Sequence, residues 1–290
     1  RASWQRPWVN KFGHRAEADL RLSQVQSTLS GLYSMPNARR WTDSVDLTTE
    51  LSNEDTEAKK SLKLRVGAAH LTTRFGWREA VGIEYEVESY DVAESGEIAG
   101  LLVPSARWTR TWTDDPIYTR DGLRLGLGLR GSHRTLLSTT SFAQRRLDAK
   151  YVRALGGTRV ILRGELGAVA AENFDKLPAS ERFFAGGDNS LRGFDYQTLG
   201  PRSATGKVEG GRYLALGSVE IEQHVTGNWS AAAFTDFGNA LNDFSDPIAC
   251  GVGIGVRWRS PVGLVRVDLA NGISSPASPW RVHVVVGPDL

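Results

Sequence analysis

One stretch of the sequence determines how the rest is interpreted: Arg182-Phe183-Phe184-Ala185-Gly186-Gly187-Asp188-Asn189-Ser190-Leu191-Arg192-Gly193-Phe194. It begins as an apolar strand and breaks at Gly186 and Gly187, which we interpret as a loop hinge because glycine tolerates backbone conformations closed to other residues. Gly193 allows a tight turn beside Arg192, so the guanidinium is presented from a loop. A planar fork of five donors in that position is suited to binding a carboxylate.

Alternation of apolar and polar residues runs through most of the chain and decides the fold class. In residues 123–130, for example, leucines occupy every second position between arginines and glycines. On a helix those leucines would scatter around the cylinder, and each interior glycine would cost about 1 kcal/mol. We therefore predict an all-β protein with about 16 antiparallel strands, each strand and turn taking about 18 residues.

A soluble β-sandwich shows the same alternation, so two further features are needed to favour a transmembrane β-barrel. The polar faces mix Arg with Glu strand after strand, as expected of a wide, hydrated lumen. The tryptophans lie mainly near strand ends, where interfacial girdles form. The mean hydropathy of −0.30 does not argue against a barrel, because lumenal polar residues offset the lipid-facing ones. We predict a single outer-membrane barrel domain over residues 1–290.

Composition argues against several other classes of function. The 35 Lys and Arg residues nearly balance the 33 Asp and Glu residues, which gives no reason to expect nucleic-acid binding. The 5 histidines are scattered without ligand spacing, so we expect no metal and no cofactor. Without a nucleophile motif we expect no enzyme. The acidic row Glu84, Glu86 and Glu88 is interpreted as a solvated lumenal face.

The two-residue repeat of side-chain direction along a strand also indicates a partner for Arg192. If Asp236 faces the lumen, so do Phe234 and Gly238, and on the preceding strand Glu220 faces the same way. Two carboxylates on adjacent strands would then point to where an inward-folded loop could place Arg192. The alternative is an arginine that is merely exposed after a glycine-rich turn.

The loop sequence resembles the tip of the inward-folded sixth extracellular loop in the outer-membrane assembly superfamily that includes BamA, TamA and the two-partner-secretion transporters. The residues that carry the resemblance are Leu191, Arg192, Gly193 and Phe194. The Phe-x-Asp-x-Gly segment at Phe234, Asp236 and Gly238 resembles the partner motif on the barrel wall. The resemblance implies that Arg192 contacts Glu220 and Asp236. It covers the whole chain, strongly after residue 182 and weakly before residue 121.

Within the superfamily, the ending Gly287-Pro288-Asp289-Leu290 and a loop of about two dozen residues resemble the TamA branch. That branch implies an outer-membrane factor that inserts barrel proteins, autotransporters in particular. It also implies POTRA domains upstream and a TamB-like partner anchored in the inner membrane. The alternatives are a BamA-like or two-partner-secretion translocator and, from another class, a passive porin.

The first and last strands are predicted to form a weak seam, because the last strand stops before Pro288 and proline cannot donate to a ladder. An exposed strand edge can template an incoming strand. The seam residues that we single out are Ser3, Trp4, Val282, Val284 and Val286.

Overall fold

The computed structural model describes residues 1–23, 25–37, 40–56, 60–92, 95–260, 263–275 and 280–290. The strands are β1 (Ala2–Arg6), β2 (Arg15–Arg21), β3 (Gln26–Asn37), β4 (Arg40–Asp55), β5 (Lys60–Arg74), β6 (Trp77–Val92), β7 (Ser95–Thr113), β8 (Asp121–Ser132), β9 (Phe142–Leu155), β10 (Thr158–Ala171), β11 (Tyr213–Thr226), β12 (Trp229–Leu241), β13 (Ala249–Ser260), β14 (Gly263–Asn271) and β15 (Trp280–Gly287). One short 3-10 helix, η1 (Ala179–Glu181), precedes β11. The described part of the chain contains no helix whose length and hydropathy would let it cross a membrane.

The strands form one antiparallel sheet in which each strand pairs with its neighbours in sequence. The all-β prediction is confirmed, with 15 strands described where about 16 were expected. Within the described residues no ladder joins β1 to β15, so the sheet is not closed. Because neighbours alternate in direction and the strand number is odd, β1 and β15 run in the same direction.

Burial follows the predicted alternation. On β12 the side chains of Phe234 and Asp236 are 6% and 0% exposed, whereas Phe237, on the opposite face of the strand, is 45% exposed. We call the face that carries Asp236 the inner face and the opposite one the outer face. The large apolar side chains of the outer face are exposed along many strands, as expected where lipid surrounds a barrel. The predicted seam residues Ser3, Trp4, Val282, Val284 and Val286 are all exposed.

The connection between β10 and β11, residues 172–212, folds onto the inner face, and we call it the docking loop. Phe174, Leu177 and Phe183 of the loop form a buried apolar cluster with Leu101 and Leu214 of the sheet. This part of the inner face is therefore a packed core, and the expectation of a hydrated lumen is wrong here. The alternation of apolar and polar residues cannot show which inner-face residues will be covered by a loop from elsewhere in the chain.

Two local expectations about the docking loop are also corrected. Its apolar start does not form a strand, since only isolated bridges pair Phe183 with Gly211 and Ala185 with Leu199. The loop therefore begins after Ala171 and is longer than the two dozen residues expected.

Candidate functional site on the inner face

The docking loop places Arg192 against the two carboxylates that the sequence singled out. Its Nε and Nη2 donate to the two oxygens of Asp236 at 2.8 and 2.9 Å, and its backbone N–H donates to the same side chain at 3.0 Å. Nη1 donates to Glu220 at 2.8 Å. The Arg192 guanidinium also lies 3.3 Å from the ring centroid of Phe234. Arg192 is 7% exposed, so this bidentate pair is a buried one.

A third carboxylate also accepts a hydrogen bond from Arg192. Nη1 also donates to Asp268 on β14 at 3.0 Å, and Nη2 reaches the Ser218 hydroxyl at 3.4 Å. Burial alone would lower the pKa of the Arg192 guanidinium, but its bonds to Asp236 and Glu220 raise it above the ordinary value. Arg192 is therefore charged, with every N–H donor of its side chain used.

The residues beside Arg192 fix the loop tip by close packing. Gly193 has φ +93°, and a Cβ there would lie 2.7 Å from the backbone of Asn271, so this turn requires glycine. Leu191 and Phe194 are 0% and 8% exposed and pack with Ala249. The tip is therefore held by apolar contacts on both sides of the arginine.

The inner face of β13 carries glycines where the loop tip and its partners need space. A Cβ on Gly251 would lie 2.1 Å from the carbonyl oxygen of Arg192. A Cβ on Gly253 would lie 2.3 Å from the Phe234 ring, and one on Gly255 would lie 1.9 Å from an Asp268 oxygen. This row of glycines leaves room on the inner face of β13 for the docked loop and its partners, and we call it the glycine cradle.

Arg257 extends the ion pairs beyond the loop tip. It is 1% exposed and donates to Glu220 and Asp268 at 2.6 Å each. Its Nε also lies 3.2 Å from Glu222. Each carboxylate of Glu220 and Asp268 is therefore shared by Arg192 and Arg257, which joins four strands and the loop in one network.

Arg159 carries the network to the end of the chain. It donates to Glu222 at 2.5 Å and to the carboxylate of Asp289 at 2.8 Å. Asp289 is 5% exposed, and its carbonyl accepts a bond from Lys150 at 2.5 Å. The residues that follow β15 thus turn into the inner face. We call the whole set the tip cluster: Arg192, Asp236, Glu220, Asp268, Arg257, Glu222, Arg159 and Asp289.

Only three members of the tip cluster were candidates from the sequence, namely Arg192, Glu220 and Asp236. The other members of the tip cluster could be identified only once the pairing register of the strands was known. Asp268 pairs with Gly255 and Asp236 with Gly251, so the glycine row was the one sequence signal pointing to crowded partners on both sides of β13. The inward turn after β15 had no such signal.

The other predicted residues lie near the same site. Gly186 and Gly187 have φ of +104° and +100°, in the region that favours glycine, where the hinge was expected. Gly238 has φ +139°, and a Cβ there would lie 2.0 Å from the carbonyl oxygen of Ala215. Within the described residues no group of His, Cys, Asp or Glu side chains could hold a metal ion.

The docking loop also contacts the inner face of the last strand. The Gly193 N–H donates to His283 Nε2 at 3.1 Å, and His283 Nδ1 lies 2.5 Å from Asp188. Arg281 forms an ion pair with Asp195. The loop therefore holds β15 from inside the sheet at two positions.

A second group of charges lies under the start of the docking loop, at η1. Glu181 is 0% exposed, and Glu86 and Glu88 are each 2% exposed. The expectation that the acidic row is solvated is therefore wrong at Glu86 and Glu88. The loop covers them: Ser180 donates to Glu88, and Arg130 lies 3.3 Å from Glu181. We call this set the base cluster: Glu86, Glu88, Glu181, Arg65 and Arg130.

The chain is similar to several known proteins. A model of the Omp85 superfamily domain matches residues 9–284. A stretch of 108 residues is 30% identical to the outer membrane protein assembly factor BamA of Nitratidesulfovibrio vulgaris. Another of 107 residues is 33% identical to the chloroplastic outer envelope protein 80 of Arabidopsis thaliana. These stretches cover 34% and 33% of this chain but only 14% and 13% of the relatives, so the chain matches a small part of each.

The fold is similar to that of BamA from Haemophilus ducreyi lacking POTRA domains 1-3. The TM-score is 0.84 over 99% of this chain and 66% of that one, at 13% identity. This likeness shows the fold, and the predicted outer-membrane localisation is confirmed. The TamA branch stays a prediction. With a superfamily model spanning nearly the whole chain, the protein belongs to the Omp85 superfamily.

Proposed function

We propose that this protein inserts and assembles other outer-membrane proteins by offering the edges of β1 and β15 to an incoming strand. The observation that carries the proposal is the geometry of those edges. No ladder joins them in the described part of the chain, and both run in the same direction. A single strand running the opposite way would pair antiparallel with both, so the gap suits β-augmentation.

β1 and β15 have very different numbers of contacts with the rest of the protein. This difference suggests which of the two strands would move when the gap between them widens. β15 pairs with β14 and is also held from inside by the docking loop through His283 and Arg281. β1 has five residues, all exposed, and its described ladder is to β2 alone. We therefore infer that the β1 side yields while β15 keeps its place.

We extend the proposal to autotransporters as clients and to a TamB-like inner-membrane partner bound through POTRA domains upstream. The support is the resemblance of the segment Gly287-Pro288-Asp289-Leu290 to that branch, and Asp289 of this segment is built into the tip cluster. The loop length no longer supports this branch, since residues 172–212 exceed the expected size. A BamA-like or two-partner-secretion translocator is the alternative. Copurification of the TamB-like protein with the full-length chain tests the branch.

A passive porin is less well supported than an assembly factor. The docking loop packs Leu177 and Phe183 into a buried apolar cluster on the inner face, whereas a steady pore needs an open polar channel. The proposed mechanism contains no covalent step, so we propose no enzymatic activity.

Photo-cross-linking in the full-length protein tests the template role. A photoreactive residue at Trp4 on β1 or at Val284 on β15 should form adducts with a client strand during assembly. Phe237, on the outer face of β12 and 45% exposed, is the matched control and should form none. Equal adducts at all three positions, or adducts only with the protein's own upstream segment, would contradict the proposal.

A further inference from the structure

Three cations face one another across adjacent strands, beside the tip cluster but outside its arginine–carboxylate pairs. Arg124 of β8 is the cross-strand partner of Lys150 of β9, and Lys150 is the partner of Arg163 of β10. Like charges directly opposite each other destabilise a sheet. A row of three therefore needs an explanation.

The protein groups that contact this row neutralise it only in part. Lys150 donates to a backbone carbonyl, that of Asp289. Arg163 donates to the carbonyls of Asn189 and Ser190 at 3.0 and 2.9 Å. Carbonyl oxygens accept hydrogen bonds but carry no net charge. The carboxylate near Arg163, that of Asp236, is 3.9 Å away and already bonded to Arg192.

Arg124 is the least satisfied member of the row. Among the described residues its side chain has neither a hydrogen bond nor an ion pair, and its Nε is buried without a partner. A buried guanidinium donor without an acceptor costs free energy unless a ligand or water supplies one. Arg124 therefore points to a missing acceptor.

The row lines a cavity of about 410 Å³, within the range of small-molecule sites. Its other charged lining residues are Arg107, Arg146, Asp148 and Glu165. Both carboxylates are already engaged, Asp148 by Arg107 at 2.7 Å and Glu165 by Arg146. Five cations face two carboxylates, so the lining keeps an excess of three positive charges.

We propose that this cavity binds a phosphate-bearing anion. Guanidinium groups match the geometry of phosphate oxygens and bind them bidentately, and a multivalent anion would offset the excess charge. Asn189 belongs to the docking loop, so the cavity has its full lining only when the loop is docked. Free phosphate and the headgroup of a phospholipid share this chemistry.

Calorimetry on the full-length protein in a phosphate-free, uncharged detergent tests the site. Inorganic pyrophosphate and a short-chain phosphatidylglycerol are titrated separately into the wild type, Arg124→Ala and Arg153→Ala. Arg153 is the matched control: it lies on β9, is paired with Asp121, and is 57% exposed outside the cavity. Electrophoretic mobility of the unheated protein verifies that each variant is folded.

We expect saturable binding that Arg124→Ala weakens at least about tenfold and Arg153→Ala leaves unchanged, because a hydrogen bond to a charged group is lost only in the first. Binding of pyrophosphate with this pattern identifies a site for free phosphate, and binding of the phospholipid alone identifies a headgroup site. No saturable binding of either probe, or equal weakening in both variants, overturns the proposal.

Discussion

The tip cluster and the base cluster lie under the same docking loop and are built on opposite principles. In the tip cluster each arginine meets at least two carboxylates, and Arg192 uses every side-chain donor. In the base cluster, by contrast, buried oxygens of two of the three carboxylates, Glu86 and Glu181, have no hydrogen-bond partner among the described residues, whereas in the tip cluster this holds for one oxygen of Asp289 alone. Charges that complete one another hold the loop tip, while carboxylates crowd one another at its start.

That difference sets how each cluster responds to protons. Burial raises the pKa of Glu181 to about 7; Arg130 opposes this shift and Glu86 adds to it. A proton on Glu181 would give its carboxyl group a donor beside the neighbouring carboxylate of Glu86. The base cluster is therefore a pH-sensitive part of the docked loop.

Removing the arginine of the tip cluster should have the largest effect. In Arg192→Ala the carboxylates of Asp236 and Glu220 stay buried without their partner, which costs about 3–5 kcal/mol. The rate of chymotrypsin cleavage after Phe194, a residue that is 8% exposed in the docked loop, reports opening and should rise about a hundredfold or more. We expect weaker assembly activity with the barrel still folded.

Arg202→Ala is the matched control for that change, because Arg202 lies in the same loop and, among the described residues, its side chain donates only to the carbonyls of Gly206 and Thr198. Its cleavage rate should stay at the wild-type value. A wild-type rate and activity in Arg192→Ala would mean that the tip cluster does not hold the loop.

Filling the glycine cradle should have the next largest effect. In Gly255→Ala the new Cβ meets an oxygen of Asp268 at 1.9 Å, so the aspartate must leave Arg192 and Arg257. Overpacking of this kind costs about 1–3 kcal/mol, which corresponds to cleavage faster by about fivefold to somewhat more than a hundredfold. Gly164→Ala, where the nearest atom to the new Cβ is 4.0 Å away, should be neutral. Equal rates in the two variants would show that the cradle is not crowded in solution.

The smallest expected effect is the pH dependence of the base cluster. Because the pKa of Glu181 is raised from 4.5 to about 7, the docked loop binds its proton more tightly than the open loop does. Docking is thus strongest at low pH and weakens as the pH rises through about 7. Between pH 6 and 8, cleavage corrected for the protease's own pH profile should rise about tenfold, and Glu181→Gln should abolish this rise.

Glu172→Gln controls for the loss of a charge, since Glu172 is exposed in the same loop and paired with exposed Arg134. It should keep the wild-type pH profile. A rise with pH that survives in Glu181→Gln would place the titrating group elsewhere.

The fold could be predicted from the sequence because period 2 is a local property. The alternation along β12 puts Asp236 and Phe234 on the inner face without knowledge of any other strand. The strand count and the packed core could not be predicted in the same way. Whether Leu101 on the inner face meets water or Phe183 depends on where residues 172–212 fold.

The candidate site divides in the same manner. A loop arginine and a wall aspartate could be matched from residue types, whereas Asp268 and Arg257 join them only through the register of β13 and β14. A slip of β14 by one residue against β13 would turn Asp268 to the outer face while Arg257 stayed on the inner face. The row Arg124, Lys150 and Arg163 was equally hidden, because each lies on a different strand.

The sequence by itself determined the strands, their inner and outer faces, and the arginine that enters the inner face. These follow from steric preferences and polarity over a few neighbouring residues. Only the tertiary structure decided which charges meet, which of them the docking loop buries, and that β1 and β15 run in the same direction. Those outcomes depend on the number of strands and on their register, which no short stretch of sequence carries.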